Sequence, residues 1–162
     1  MPRRKSPKPE RRLGAYKQLD AVPSKHRLQR YRSEYEGYDV WSDFQQAKIE
    51  PSDSEHYKQT FQKTERSWKT HISDRGRHHA LANPYDIELW CAKLVPDRTL
   101  MTVYKEYWVR LEEFYRWLLW HTDHPHVYNP CLMAAANHEI AKSMWWVKMG
   151  RNDDTLGGGI DE

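Results

Sequence analysis

Thiols are scarce in this chain of 162 residues: Cys91 and Cys131 are its only two. Two cysteines forty positions apart build neither a disulfide framework nor a four-thiolate zinc site, so reduced, partly buried thiols are expected. Long apolar runs are missing too. No stretch approaches the roughly 18 residues that cross a bilayer, and the basic start from Met1 to Arg12 is not followed by the hydrophobic stretch of a signal peptide. The expectation is a soluble, cytoplasmic protein without a membrane partner. No GxxxxGK[ST] loop, GxGxxG turn or GxSxG elbow occurs, and neither CxxC nor HExxH is present. Nucleotidase and hydrolase readings fall away, and no metal, cofactor or small-molecule substrate is expected.

What the chain has is aromatic mass and unevenly placed charge. The mean hydropathy is −1.02 and 30% of residues are charged, yet 8 Trp, 10 Tyr and 3 Phe supply bulk for a core. The net charge of +3 hides an asymmetry: residues 1–35 hold eleven basic side chains against Glu10, Asp20 and Glu34, a net +8, which leaves −5 on the rest. With Pro2, Pro7, Pro9 and Pro23 and few large apolar groups, this head is expected to be a disordered basic arm. Such an arm suits polyanions, because each cation that neutralises a phosphate releases condensed counterions. The plainer alternative is a solubilising tail.

Over 36–53, Tyr38, Trp41, Phe44 and Ile49 approximate one helical face, read as a linker or short docking helix. Ser52-x-x-Glu55 has the form of a capping box. Tyr57, Phe61, Thr64, Trp68 and Ile72 follow at helical steps, and Gly76 stands where that helix would end. Asn83-Pro84 starts a second helix, with Ile87, Trp90, Cys91 and Leu94 as its stripe and Pro96 as its stop. Asp97 or Thr99 caps a third, whose seam runs from Leu100 through Val103, Tyr107, Leu111 and Phe114 to Leu118, with Glu112 and Arg116 among its wet positions. Asn129-Pro130 repeats the Asn-Pro start, Asn137 is a candidate break, Gly150 a terminator, and 151–162 a disordered tail. No alternating β-pattern appears, so the fold class is all-α, a compact bundle of four to five helices spanning 54–150.

His121, His124, His126, Cys131 and His138 invite a metal reading, but ring-to-backbone hydrogen bonding is the commoner use of histidine. Basic groups near helix ends make a better candidate. Arg98, Thr99, Thr102 and Lys105 sit where free helical N–H groups favour anions. Arg75 and Arg77 form a basic turn, with Arg66 and Lys69 one and two turns back on the preceding helix. The alternative is scattered surface charge.

The run Trp68-Lys-Thr-His-Ile-Ser-Asp-Arg-Gly76, then Asn83-Pro-Tyr-Asp-Ile-Glu-Leu-Trp90, Arg98-Thr-Leu-Met-Thr-Val-Tyr104 and Leu111-Glu-Glu-Phe-Tyr-Arg-Trp-Leu118 resembles the SAM-like core-binding (N-terminal) domain of tyrosine recombinases, the phage-type integrases. The phrase His124-Pro-His-Val-Tyr-Asn-Pro130 is similar to haloarchaeal integrase-like proteins. The resemblance implies a four- or five-helix unit forming half of a clamp on DNA opposite a separate catalytic domain. Its DNA-facing positions would match Arg66, Lys69, Thr99, Thr102 and Lys105. The implied partners are double-stranded DNA and a recombinase or other protein subunit. That catalytic domain needs a His-x-x-Arg pair and a tyrosine nucleophile; no His-x-x-Arg occurs, and twelve residues follow Gly150, so no enzymatic activity is expected. The competing expectation is a helical protein-interaction module or mobile-element regulator that does not bind DNA, for which Trp117 and Trp120, off the main seam, would serve as contacts.

Overall fold

Short polar side chains followed by proline or an apolar stripe set where this chain becomes helical. The structure, a computed structural model, describes residues 6–12, 14–16 and 18–152. Arg3, Arg4, Lys5 and Lys17 of the expected basic arm, and 153–162 of the expected tail, lie outside the described residues. Among the described residues all regular structure is helical, and no helix is long and apolar enough to cross a membrane. The elements are α1 (Arg32–Tyr35), α2 (Val40–Phe44), α3 (Glu55–Asp74), α4 (Pro84–Leu94), α5 (Leu100–Val103), α6 (Val109–Trp120), α7 (Pro130–Asn137) and α8 (Glu139–Asn152). One π turn, Gln45–Ile49, follows α2, and a second, Tyr104–Trp108, joins α5 to α6.

The Asn-Pro starts behave as the sequence implies. Asn83 and Asp86 form a reciprocal capping box at α4, and the Asn129 side chain accepts the Cys131 N–H at α7. Thr99, not Asp97, caps α5 by accepting the Thr102 N–H at 3.1 Å. At α3 the cap is Ser54, which accepts the Tyr57 N–H at 3.1 Å; Ser52 instead accepts the N–H of Ser54. The reciprocal box expected at Ser52 and Glu55 is replaced by a single cap two residues on, because two serines compete and only Ser54 stands next to the first helical turn.

Helical segments exceed the expected four to five. The wide turn at Tyr104–Trp108 divides one periodic stretch, and the chain breaks again at His138 between α7 and α8. A π turn adds a residue to the ladder and re-phases what precedes it. Leu100, expected in the seam, is 42% exposed at the first position of α5, while Val103, Tyr107, Trp108, Leu111, Phe114 and Leu118 are buried. Gly150 does not stop α8, which continues to Asn152.

Five of the eight tryptophans, Trp41, Trp68, Trp90, Trp108 and Trp145, are fully buried. Trp41, Trp68 and Trp90 meet other rings edge-on or tilted, as Trp41 does on Phe114 at 4.6 Å and Trp68 on Trp90 at 5.2 Å. Each such pair adds about 0.5–1.5 kcal/mol beyond area burial. Residues 36–53 belong to this core, since Val40, Trp41, Phe44 and Ile49 are all buried.

The largest departure from expectation is at the N-terminus. The described part of residues 1–35 is not a disordered arm: it winds through short 3-10 turns from Pro9 to Tyr31 and packs on the bundle. The Leu28 N–H donates to the Tyr128 hydroxyl at 3.1 Å, the Asn129 N–H to the Gly14 carbonyl at 2.7 Å, and the Trp145 Nε1–H to the Pro7 carbonyl at 2.6 Å. Val22, Leu28 and Tyr35 are buried. The segment is poor in apolar residues, but the bundle presents enough aromatic surface to bury the few it has, which composition alone does not register.

Candidate nucleic-acid interface

The end of α3 decides which cations are available. Gly76, at φ +75°, closes the helix: its N–H donates to the Ser73 carbonyl at 2.9 Å and the Arg77 N–H to the Ile72 carbonyl at 3.1 Å. This turn swings Arg75 and Arg77 onto Asp86, the third residue of α4. Arg75 Nε donates to Asp86 Oδ1 at 2.7 Å and Arg77 Nη1 to the same oxygen at 3.1 Å. Asp86 has no exposure, and its second oxygen accepts the Asn83 N–H at 2.8 Å. A buried carboxylate is costly unless ringed by donors, and the two arginines supply them. Arg75 and Arg77, candidate DNA contacts by sequence, are thereby engaged in holding α3 to α4.

Lys69 is also occupied. Its ammonium lies 2.8 Å from Asp39 Oδ1 and 2.6 Å from Glu65 Oε2. Burial pulls its pKa down, but hydrogen bonds to the two carboxylates outweigh this and raise it above the ordinary lysine value. The charge is permanent and already balanced.

Arg66 and Lys105 are exposed and meet no carboxylate among the described residues. Arg98 lies over the Tyr107 ring at 5.2 Å and donates to the Leu94 carbonyl at 3.2 Å. Lys63 lies over that ring too, at 5.1 Å, and pairs with Glu106 at 3.2 Å. Tyr107 thus holds two cations at the junction of α3, α4 and α5. Thr99 and Thr102 join their hydroxyls at 3.0 Å, so part of their hydrogen-bonding capacity is spent within the cap.

Of the eight positions singled out by sequence, Arg66, Arg98 and Lys105 are cations without a carboxylate partner among the described residues, Thr99 and Thr102 form the α5 cap, and Lys69, Arg75 and Arg77 are paired. Lys93, on the last turn of α4, was not singled out, although a basic residue on the wet side of a short helix was visible. It lines a groove with Arg66 and forms no ion pair among the described residues.

The histidine-rich segments turn inward. His126 Nε2 donates to the Ala80 carbonyl at 2.7 Å and His78 Nε2 to the Tyr38 carbonyl at 2.8 Å. Tyr35 and His124 share a 2.6 Å hydrogen bond. Among the described residues no three His, Cys, Asp or Glu side chains are placed to hold a metal ion. Glu112, expected on the wet face, is buried, with Arg116 at 3.0 Å and Lys148 at 2.8 Å on one oxygen. Cys91 and Cys131 are free and fully buried, and burial raises both thiol pKa values. No protein-family model matches the chain, and no curated protein or solved structure matches it.

Proposed function

We propose that the chain binds double-stranded DNA without cleaving it, as an integrase-like core-binding unit that serves DNA integration or recombination beside a recombinase or another protein subunit. One observation carries this reading. The seven described basic side chains of residues 6–35, Lys8, Arg11, Arg12, Lys25, Arg27, Arg30 and Arg32, form no ion pair among the described residues. They ride on a segment packed against the bundle, so they meet a polyanion with less ordering cost than a loose arm would incur. Arg66, Arg98 and Lys105 add cations of the same kind. The order of helices and the phrase His124 to Pro130 support the integrase likeness, and the lack of a His-x-x-Arg pair supports binding over strand cleavage.

Fluorescence anisotropy with a labelled random duplex tests the reading. Binding is expected at low ionic strength, with a log–log salt slope of roughly −5 if about six phosphates are neutralised. Arg98→Ala combined with Lys105→Ala lowers affinity while the circular dichroism spectrum stays unchanged. Absence of binding in dilute buffer would overturn the proposal.

A protein-interaction role has one specific observation in its favour. Trp120 is 69% exposed and lines a cavity of about 450 Å³ with Phe44, Lys48, Trp117 and His121. Sedimentation over a range of concentrations, beside the anisotropy series, separates the two readings.

A further inference from the structure

A cavity of about 380 Å³ lies where α2 and the residues before it face the loop that follows α6. Tyr38, Trp117, His121 and His124 line it together with Asp43 and Asp123, and no lysine or arginine does. Tyr38 is 39% exposed and both aspartates are exposed, so the cavity opens to solvent. Its four rings adjoin one another. Centre to centre, His121 lies 4.9 Å from Trp117 and 5.1 Å from His124, Trp117 lies 5.6 Å from His124, and Tyr38 stacks on His124 at 6.3 Å. Tyr35 backs the group, stacking on Tyr38 at 5.8 Å and holding His124 by their shared hydrogen bond.

The charge here is negative and uncompensated. Neither Asp43 nor Asp123 pairs with a lysine or arginine among the described residues. The Tyr38 hydroxyl donates to Asp43, and that bond, ahead of burial and the nearby carboxylate charges, pushes its pKa up to about 12, so the phenol keeps its proton. Burial and His121 push the His124 pKa down against the pull of Asp43 and Asp123, which leaves that ring neutral. His121 Nδ1 accepts the Asp123 N–H at 3.2 Å, which requires an unprotonated nitrogen. Neutral rings beside two carboxylates attract a cation, the rings through their quadrupoles and the carboxylates through charge. The Tyr38 hydroxyl and Nδ1 of both histidines are already engaged, and π surface satisfies N–H donors poorly. A primary ammonium brings three donors and a tightly held water shell, whereas a trimethylammonium group brings none.

We infer that this cavity binds a trimethylammonium group, carried either by a free small molecule such as choline or by a trimethylated lysine of a protein. Tyr38, Trp117 and the two imidazoles supply the π surface, and Asp43 and Asp123 supply the counter-charge. The inference does not rest on the duplex reading: its ligand has the opposite sign to a phosphate, and none of these six residues is among the candidate DNA contacts.

The full chain titrated with choline, followed by calorimetry and by the imidazole resonances of His121 and His124, provides the test. Saturable binding is expected, with both sets of resonances moving. The neutral isostere 3,3-dimethylbutan-1-ol and the unmethylated ethanolamine are each expected to bind at least fivefold more weakly. Asp43→Asn combined with Asp123→Asn weakens choline binding at least fivefold, and Tyr38→Leu, at an exposed ring, does the same, while the circular dichroism spectrum stays unchanged. Two short peptides differing only in a trimethyllysine or a plain lysine distinguish the sources. Tighter binding of the trimethylated peptide assigns the protein side chain; choline binding with equal peptide affinities assigns the small molecule. If choline does not bind at millimolar concentration and the peptides behave alike, the inference is overturned, whatever the duplex assay shows. Choline binding that the isostere or ethanolamine matches, or that both variants leave unchanged, overturns it as well.

Discussion

The Glu88 carboxylate accepts the main-chain N–H of Ala141 at 2.8 Å, and its other oxygen accepts that of Ile140 at 3.0 Å. A side chain on α4 therefore caps the start of α8 from 53 residues away. The first N–H groups of a helix have no partner within it, and a carboxylate both satisfies them and faces the positive end of the helix dipole. Glu88→Ala is expected to cost about 1–2 kcal/mol and Glu88→Gln less. Equilibrium urea denaturation reads this directly, and an unchanged midpoint would show that the cap contributes nothing.

Asp86 joins two arginines to the start of α4 with no exposure to solvent. Asp86→Ala removes the carboxylate that receives both part-exposed arginines and the Asn83 N–H, with an expected loss of about 1–3 kcal/mol. Arg75→Ala costs less, because Arg77 still serves the carboxylate. In the anisotropy assay the single arginine variants change DNA affinity less than Arg98→Ala does. The reverse order would place the Arg75–Arg77 turn, and not the Arg98 region, against the duplex.

Acid destabilises this fold through its buried histidines. His79 Nε2 accepts the Trp41 N–H at 3.2 Å and its ring stacks on His78 at 4.1 Å. Burial, reinforced by His78 and Lys69 and opposed by Asp39, pushes its pKa down to about 3. Burial likewise pushes His126 down to about 4, against the pull of its bond to Ala80. In the unfolded chain both titrate near 6.5, so between there and about 4 the unfolded state binds more protons. Their contribution is whole above pH 6.5 and falls as pH drops, by at most about 1.4 kcal/mol per pH unit for each ring. His79→Gln keeps an acceptor for Trp41 but cannot titrate, so it should flatten the decline measured by denaturation from pH 7 to 4.5. An unaltered decline would exonerate His79.

Gly14 holds the N-terminal segment in place. It has φ +86°, its carbonyl takes the Asn129 N–H, and a Cβ there would lie 2.9 Å from Leu119 Cδ2. The leucine methyl can yield, but the backbone conformation cannot be relieved. Gly14→Ala is expected to cost about 1–2 kcal/mol. Trypsin should then cut at Arg11 and Arg12 sooner while helices α3 to α8 stay protected. Cleavage at the wild-type rate would mean that the contact at Asn129 does not secure the segment.

Local rules reached far into this chain. The starts at Asn83, Thr99 and Asn129, the glycine end at Gly76 and the break after Asn137 are all readable from a few consecutive residues, because a cap is a contact between near neighbours. The stripes of α3 and α4 were equally plain. Residues 6–35 were misread because the rule for disorder weighs what a segment can bury by itself, whereas Leu28 and Pro7 are held by Tyr128 and Trp145 from the far end of the sequence. Glu112 was misread for a related reason: its cation Lys148 lies 36 positions on.

The candidate interface was legible as a set of residue types and not as a set of available charges. That the chain is helical, where most helices begin, and that aromatic rings build its core could all be read from the order of residues, since these follow from period and from contacts within one turn. Tertiary packing then pairs Lys69 with Asp39 and Arg75 with Asp86, while Arg66, Lys93 and Arg98 have no ion pair among the described residues. Charge pairing is set by distance through space and strengthened where water is excluded, and neither quantity is written in the order of residues.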